Sequence, residues 1–349
     1  MKINILFEIT EKPFGGGNQF LKALKKEFKN MGVYEDDIEK ADVLLFNSFP
    51  FDHLEYFEII KNFKWKKKLV FHRLDGPISL VRGFDKEVDN VVFKANEIFA
   101  DGTIFQSRWI KDESEKMGLA VNPNYTVILN APDRQIFKKT KRHILPNEKV
   151  RLIAVSWSPN IRKGFDVYEW LDTNLDFSKY EMSFVGNSPI EFKNIKQKPA
   201  MTSAELAEEL NKHHIIIYAS KFEPCSNALT EALHCGLPAI AYNNGGNPDI
   251  VGKGGELFKE NSEIFYMLEL VVSNYEKYVD SIYLPSISQV AQMYYDFMLD
   301  VYFKTKSGYN LIKKVDNQNI RDFNENLSIN NFQIQIQKKS ILSFINLFK

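Results

Sequence analysis

Cysteine is scarce: Cys225 and Cys235 are the only two in 349 residues, and both fall in one helix-like unit, so a disulfide framework is excluded. No apolar run approaches the roughly 20 residues of a membrane span. The opening residues MKINILFEIT lack the extended apolar region and small-residue cleavage site of a signal peptide. Net charge is absent too. Lys and Arg number 45, Asp and Glu 45, and a formal charge of zero argues against a general nucleic-acid binder. No two aspartates are separated by a single residue, and the six histidines show no clustering beyond His213-His214, so no spaced metal-ligand set is written here. These absences lead us to expect a reduced, cytoplasmic protein with no nucleic-acid partner, no metal and no cofactor.

What is present is an ordinary globular composition, 44% hydrophobic and 26% charged, in a chain long enough for two domains. Buried-strand candidates recur at INILFEI (3–9), DVLLFN (42–47), KKLVFH (67–72) and TIFQS (103–107), with helical stretches between them. That alternation predicts a parallel sheet covered by helices on both faces. After the polar, basic stretch KKTKRHILPNEK (138–149) a second series begins: VRLIAVSW (150–157), EMSFVGN (181–187), HIIIYAS (214–220) and PAIAYN (238–243). The fold class is therefore α/β, two Rossmann-like doubly wound domains in tandem. We assign 1–145 to an N-terminal domain, 146–285 to a C-terminal domain and 286–305 to a helix returning to the first. Residues 306–349, rich in Asn and Gln, read as a flexible tail. Its last residues, KKSILSFINLFK, can form a short amphipathic helix.

The Gly15-Gly16-Gly17 turn after the first strand invites a dinucleotide-binding reading. It fails the G-x-G-x-x-G spacing because position 20 is Phe20. The strand at 67–72 runs into His72, Arg73 and Asp75 at its carboxyl end. Lys64, Lys66, Lys67 and Lys68 with Trp65 make a basic-aromatic run that could rest on an anionic membrane surface.

The richest stretch is SKFEPCSNALTEALHCGLPAIAYNNGGNPDIV (220–251). Ser226 or Asn227 can cap a helix that Gly236 and Pro238 terminate. Its N-terminus would lie at the carboxyl end of a parallel strand, where open α/β sheets bind ligands, and its unpaired N–H groups near Asn227, Ala228 and Leu229 suit a diphosphate. Glu223 and Glu231 would then flank the anion. A carboxylate gains nothing from touching phosphate, so hydroxyls of a ribose and a sugar are its targets, which describes a nucleotide-sugar site.

Glu223-Pro-Cys-Ser-Asn-Ala-Leu-Thr-Glu231 resembles the E-x7-E motif of retaining glycosyltransferases of the GT-B fold, and the continuation is similar to glycosyltransferase family 4. SPNIRKGFD (158–166), ADGTIFQSRWIKD (100–112) and VILNAPDRQIF (127–137) extend the resemblance in order over most of residues 1–290. It implies two domains facing across a cleft, and transfer of a sugar from a UDP- or GDP-sugar to a hydroxyl of a glycan or lipid-linked acceptor, in cell-surface polysaccharide synthesis. Location would be cytoplasmic, with peripheral contact at the inner membrane surface. By the same resemblance Glu231 binds the ribose, Glu223 the donor sugar, and Lys163 with Arg162 the diphosphate. Trp157-Ser158 stand where the family has an earlier arginine, which leaves Arg162 the weaker assignment. Gly16 and Gly17, Gly186 and Asn187, and Gly245 and Gly246 become donor-side turns, and either His72 or Asp75 approaches the acceptor. A GT-B sugar-nucleotide epimerase and a non-catalytic nucleotide-sugar module are the alternatives.

Overall fold

The computed structural model describes residues 1–10, 16–47, 54–309 and 312–325. The chain forms two compact units. Unit 1 takes the described residues of Met1–Phe7, Met31–Ile128 and Tyr294–Lys349; unit 2 takes those of Glu8–Asn30 and Leu129–Met293. The division falls at Ile128/Leu129, not at 145/146 where the basic stretch lies, and the first helix groups with unit 2.

In unit 1 the strands are β1 (Ile3–Leu6), β2 (Val43–Asn47), β3 (Leu69–Leu74), β4 (Gly102–Phe105) and β5 (Tyr125–Val127). They are parallel and lie in that order. Runs such as VLLF and LVF are buried throughout, and the face carrying Leu44, Phe46, Val70 and Leu74 packs on α2 (Leu54–Trp65), α3 (Ile78–Arg82), α4 (Lys86–Phe99) and α5 (Arg108–Lys116).

In unit 2 the strands are β6 (Val150–Ser156), β7 (Tyr180–Gly186), β8 (Lys196–Lys198), β9 (Ile215–Tyr218), β10 (Ala239–Tyr242) and β11 (Gly255–Phe258). Their order is β11-β10-β9-β6-β7-β8, all parallel. The order reverses direction between β6 and β9, so the carboxyl ends of these two strands form the topological switch point. Helices α1 (Gly16–Asn30), α6 (Phe165–Asn174), α7 (Ser203–Leu210), α8 (Asn227–His234), α9 (Asn247–Val251), α10 (Glu263–Ser273) and α11 (Tyr275–Ser281) belong to this unit. The last long helix, α12 (Ile287–Lys306), passes at Tyr294 into unit 1, where Phe297 meets Phe71 edge-on at 5.7 Å.

Three expectations need correction in unit 1. The tail from 306 is not featureless: residues 317–325 are helical, and Phe323, 1% exposed, packs edge-on against Phe57 at 4.7 Å and Phe99 at 5.3 Å. Asn and Gln are frequent in that segment, yet Phe323 and Val315 seat it on the core and Lys313 N–H donates to Asp101 at 2.9 Å. The stretch KKSILSFINLFK lies outside the described residues. Nor is the basic-aromatic run a free cationic patch. Lys64 is buried against Asp101 at 2.7 Å, Lys66 pairs with Glu39, and Lys68 donates to the carbonyls of Glu39 and Ala41 at 2.7 Å each. Burial lowers the Lys64 pKa, opposed by the adjacent Asp101 charge. Finally, His72 and Arg73 lie inside β3 and not beyond it.

Candidate functional site

The site in unit 2 begins where β6 ends. Gly186, at the end of β7, has φ of 125°, and a Cβ there would lie 1.9 Å from the Ser156 carbonyl oxygen, so only glycine lets the two strand ends approach. Beyond Ser156 the chain turns through Trp157 and Ser158 into a 3-10 turn over Ile161–Lys163, capped by Asn160 Oδ1, which accepts from Arg162 N–H at 2.9 Å. Gly164, with φ of 82°, sits against the Ala219 carbonyl and lets α6 start immediately. Lys163 is thereby delivered to the switch point.

From the neighbouring strand β9, Ala219 and Ser220 lead into a tight turn in which Phe222 has φ of 56°. Glu223 follows, 8% exposed, and its Oε1 receives both the Lys163 ammonium and the Ser220 hydroxyl, the latter at 2.8 Å. The two residues are 60 positions apart, and the sheet order makes them partners. Arg162 lies with its guanidinium 5.0 Å from the Phe222 ring centroid, a cation–π contact.

Ser226 caps α8, its Oγ accepting from Leu229 N–H at 3.1 Å. That corrects one expectation: the Leu229 N–H is already taken and the Leu229 side chain is core, so an anion would meet the N–H groups of Asn227 and Ala228. One turn on, Glu231 lines a cavity of about 30 Å³ with Gln19, Phe20, Asp133, Ser203 and Thr230. No hydrogen bond or ion pair to its carboxyl occurs among the described residues, and burial pushes its pKa up to about 8. The carboxyl is therefore largely protonated at neutral pH.

Gly16 and Gly17 are not a turn but the first residues of α1. The Gly16 carbonyl accepts from Asn227 Nδ2 at 2.6 Å, while Asn227 Oδ1 accepts from Asn130 Nδ2 at 2.9 Å; Gly17 has open space beside it. Asn187 donates its amide to the Trp157 carbonyl at 2.7 Å and so braces the loop after β6. Gly245, with φ of 63°, and Gly246 pack on the Glu223 backbone: a Cβ on Gly245 would lie 2.5 Å from Glu223 O, and Gly246 N–H donates to that oxygen at 2.7 Å. Their visible task is to hold the Glu223 turn. Sequence reasoning missed Ser220, Asn244 and Asn247, which share that task. The signal available was a hydroxyl three residues before Glu223 and two asparagines flanking the Gly-Gly pair.

In unit 1, His72 is fully buried, stacked on Phe46 with ring centroids 4.1 Å apart and its Nδ1 2.9 Å from the Asn96 amide. Burial, with the adjacent Arg73 charge, pushes its pKa down to about 3, so it is a neutral residue enclosed in the core of unit 1 and not presented beyond the strand end. Asp75 lies past the strand end and is partly exposed. Its carboxylate takes Asn47 Nδ2 at 2.5 Å, Arg73 Nη1 at 2.9 Å and the Gln106 amide. No group of three His, Cys, Asp or Glu side chains arranged to hold a metal occurs among the described residues. None of the described helices is long and apolar enough to cross a membrane.

Residues 193–280, which hold Glu223, Glu231 and the Gly-Gly turn, match the family model described as glycosyl transferases group 1. A curated relative, a probable sucrose-phosphate synthase of Thermosipho melanesiensis, is 28% identical over 189 residues, half of this chain; the match spans 43% of that relative's length. Among solved structures, the sucrose-phosphate synthase of Thermosynechococcus elongatus aligns with a TM-score of 0.57 at 14% identity, over 83% of this chain and 80% of that one. HepE of Anabaena, solved with UDP-glucose, aligns with a TM-score of 0.58 at 13% identity, over 88% of this chain and all of that one. Two parallel, helix-covered sheets with these neighbours make the fold GT-B.

Proposed function

We propose that the protein is a retaining glycosyltransferase that moves a sugar from a nucleotide-sugar donor to a hydroxyl of a glycan or lipid-linked acceptor. One observation carries the reading: Lys163 and Glu223 meet at the switch point of the unit 2 sheet, beside the N-terminus of α8, with Glu231 one turn further in. The match of residues 193–280 to group 1 glycosyl transferases supports it. In this reading Glu231 accepts the ribose hydroxyls, the N–H groups of Asn227 and Ala228 meet the diphosphate, and Lys163 neutralises it with help from Arg162. Glu223 then accepts a donor-sugar hydroxyl. Before the donor arrives Lys163 and Glu223 neutralise one another; binding exchanges that pair for a Lys163–phosphate contact and a Glu223–hydroxyl contact.

The reaction breaks the bond from the anomeric carbon to the leaving phosphate oxygen and forms one from that carbon to the acceptor oxygen on the same face. The acceptor proton passes to the departing phosphate oxygen, so no separate base and no divalent metal is assigned. Charge on the leaving group is met by Lys163 and the helix N-terminus, and removing one such preorganised donor costs about 10²–10³ in rate. Synthesis of a cell-surface polysaccharide at the cytoplasmic side is the setting this reading suggests. A thermal-shift screen of nucleotide sugars should find one that stabilises the protein by RT ln(1 + [L]/Kd). UDP-glucose belongs first in the set, since HepE was solved with it. Transfer should then depend on acceptor and retain the anomeric configuration by NMR. Acceptor-independent conversion of the donor would make the protein an epimerase, and binding without turnover a carrier module.

A further inference from the structure

Glu223 is held from more directions than a ligand-binding carboxylate in a flexible turn would be. Ser220 is 1% exposed, and its hydroxyl donates to Glu223 Oε1 at 2.8 Å. The Tyr218 hydroxyl lies against the same serine. Behind it, Asn247 is fully buried and donates its Nδ2 to Ser220 O and to Tyr242 O at 3.0 Å each, tying the ends of β9 and β10 together. Asn244 Oδ1 accepts from Phe222 N–H at 2.7 Å, and Gly246 N–H donates to Glu223 O at 2.7 Å. The segment 244–247 thus fixes the backbone on both sides of Glu223, while Ser220 alone of these residues reaches its carboxylate.

That distinction matters once the donor binds. Both the lysine and the serine bonds fall on Oε1, which leaves Oε2 for a ligand hydroxyl. If Lys163 turns to the diphosphate, Glu223 loses its cation, and the serine is what still orients the carboxylate. We propose that Ser220 is a positioning residue: its buried hydroxyl locks Glu223 Oε1 so that Oε2 stays directed at the donor sugar after Lys163 has moved away. This rests on the reading of Glu223 as the donor-sugar residue.

The test compares Ser220→Ala, Ser220→Thr and Glu223→Gln. A hydrogen bond to a charged group is worth enough to change a rate about tenfold or more. Ser220→Ala should therefore lower kcat on UDP-glucose at least tenfold, with KM and the calorimetric Kd for UDP within twofold of wild type. Ser220→Thr, which keeps the hydroxyl, should recover turnover to within about threefold. A Ser220→Ala enzyme that turns over normally while Glu223→Gln is crippled overturns the positioning role. So does a loss of UDP affinity in Ser220→Ala as large as its loss of kcat, which would mark a merely structural serine. Normal turnover in Glu223→Gln sinks the assigned role of Glu223 instead. Crystal structures of wild type and Ser220→Ala with UDP bound, when Lys163 has turned to the diphosphate, decide the matter without turnover: the Glu223 carboxylate should swing away in the variant, and an unmoved carboxylate overturns the inference.

Discussion

Replacing Glu231 by glutamine exchanges a buried carboxyl for a neutral amide of nearly the same shape, and its effect on stability should depend on pH. The wild-type carboxyl has a pKa of about 8 in the folded protein against an ordinary value of 4.5, with burial as the cause. Below pH 4.5 the folded and unfolded chains both hold the proton, so wild type and variant differ only by the isosteric change. As pH rises from 4.5 towards 8 the unfolded chain releases that proton and the folded one keeps it. The folded state binds more protons through this window, so wild-type stability falls as pH rises and levels off only above 8. Each pH unit is worth about 1.4 kcal/mol per proton, so by pH 7 the wild type has lost about 3 kcal/mol that the glutamine variant keeps. Urea unfolding at pH 4.5 and pH 8, with the variant-minus-wild-type difference compared between the two, cancels the isosteric baseline. The difference should grow by several kcal/mol in favour of Glu231→Gln. A difference that does not change with pH would refute the buried, unpartnered carboxyl. The same geometry predicts proton release when a ribose binds, because hydroxyl donors favour the ionised form; calorimetry of UDP binding in buffers of different ionisation enthalpy measures it.

Glu231→Gln should weaken a nucleoside diphosphate and its sugar conjugate alike, by about tenfold or more, whereas Glu223→Gln should spare diphosphate affinity and lower kcat; calorimetry with both ligands separates the two. Phe323→Ala should cost about 3–5 kcal/mol of unit 1 stability, since a fully buried aromatic is removed from between Phe57 and Phe99, and urea unfolding would show it. Deleting everything after residue 310 should accordingly lower the melting temperature by several degrees, and an unchanged midpoint would refute the packing role. EDTA should leave transfer intact; loss of turnover restored by Mn²⁺ or Mg²⁺ would reassign leaving-group stabilisation.

Long apolar runs betray their strands, and the cores of both sheets were legible for that reason: IIIY, VRLIAV and VLLF can be buried on both faces and little else. The edge strand β8 was not, because KQK is largely exposed and carries no apolar signal. Glu223 and Glu231 could be named from spacing, whereas the Lys163–Glu223 contact depends on β6 lying beside β9, which no local pattern encodes. His72 misled because a polar pair interrupting an apolar run looks like a strand end. Here the strand continues, since Asn96 meets the imidazole and Asn47 and Asp75 meet the guanidinium. Lys64 misled in the same way, its charge being matched inside the fold by Asp101.

The discontinuity of unit 1 has a consequence for how the chain matures on the ribosome. Unit 2 is complete once Met293 has emerged, but the sheet of unit 1, made much earlier, still lacks α12 from Tyr294 and the helix at 317–325. Until those residues are synthesised, Phe57, Phe71 and Phe99 have no Phe297 or Phe323 to cover them. At roughly 5–20 residues per second, the time needed to make unit 2 alone amounts to many seconds of exposed aromatic surface. The half of the protein begun first is therefore the half whose aromatic surface is covered last.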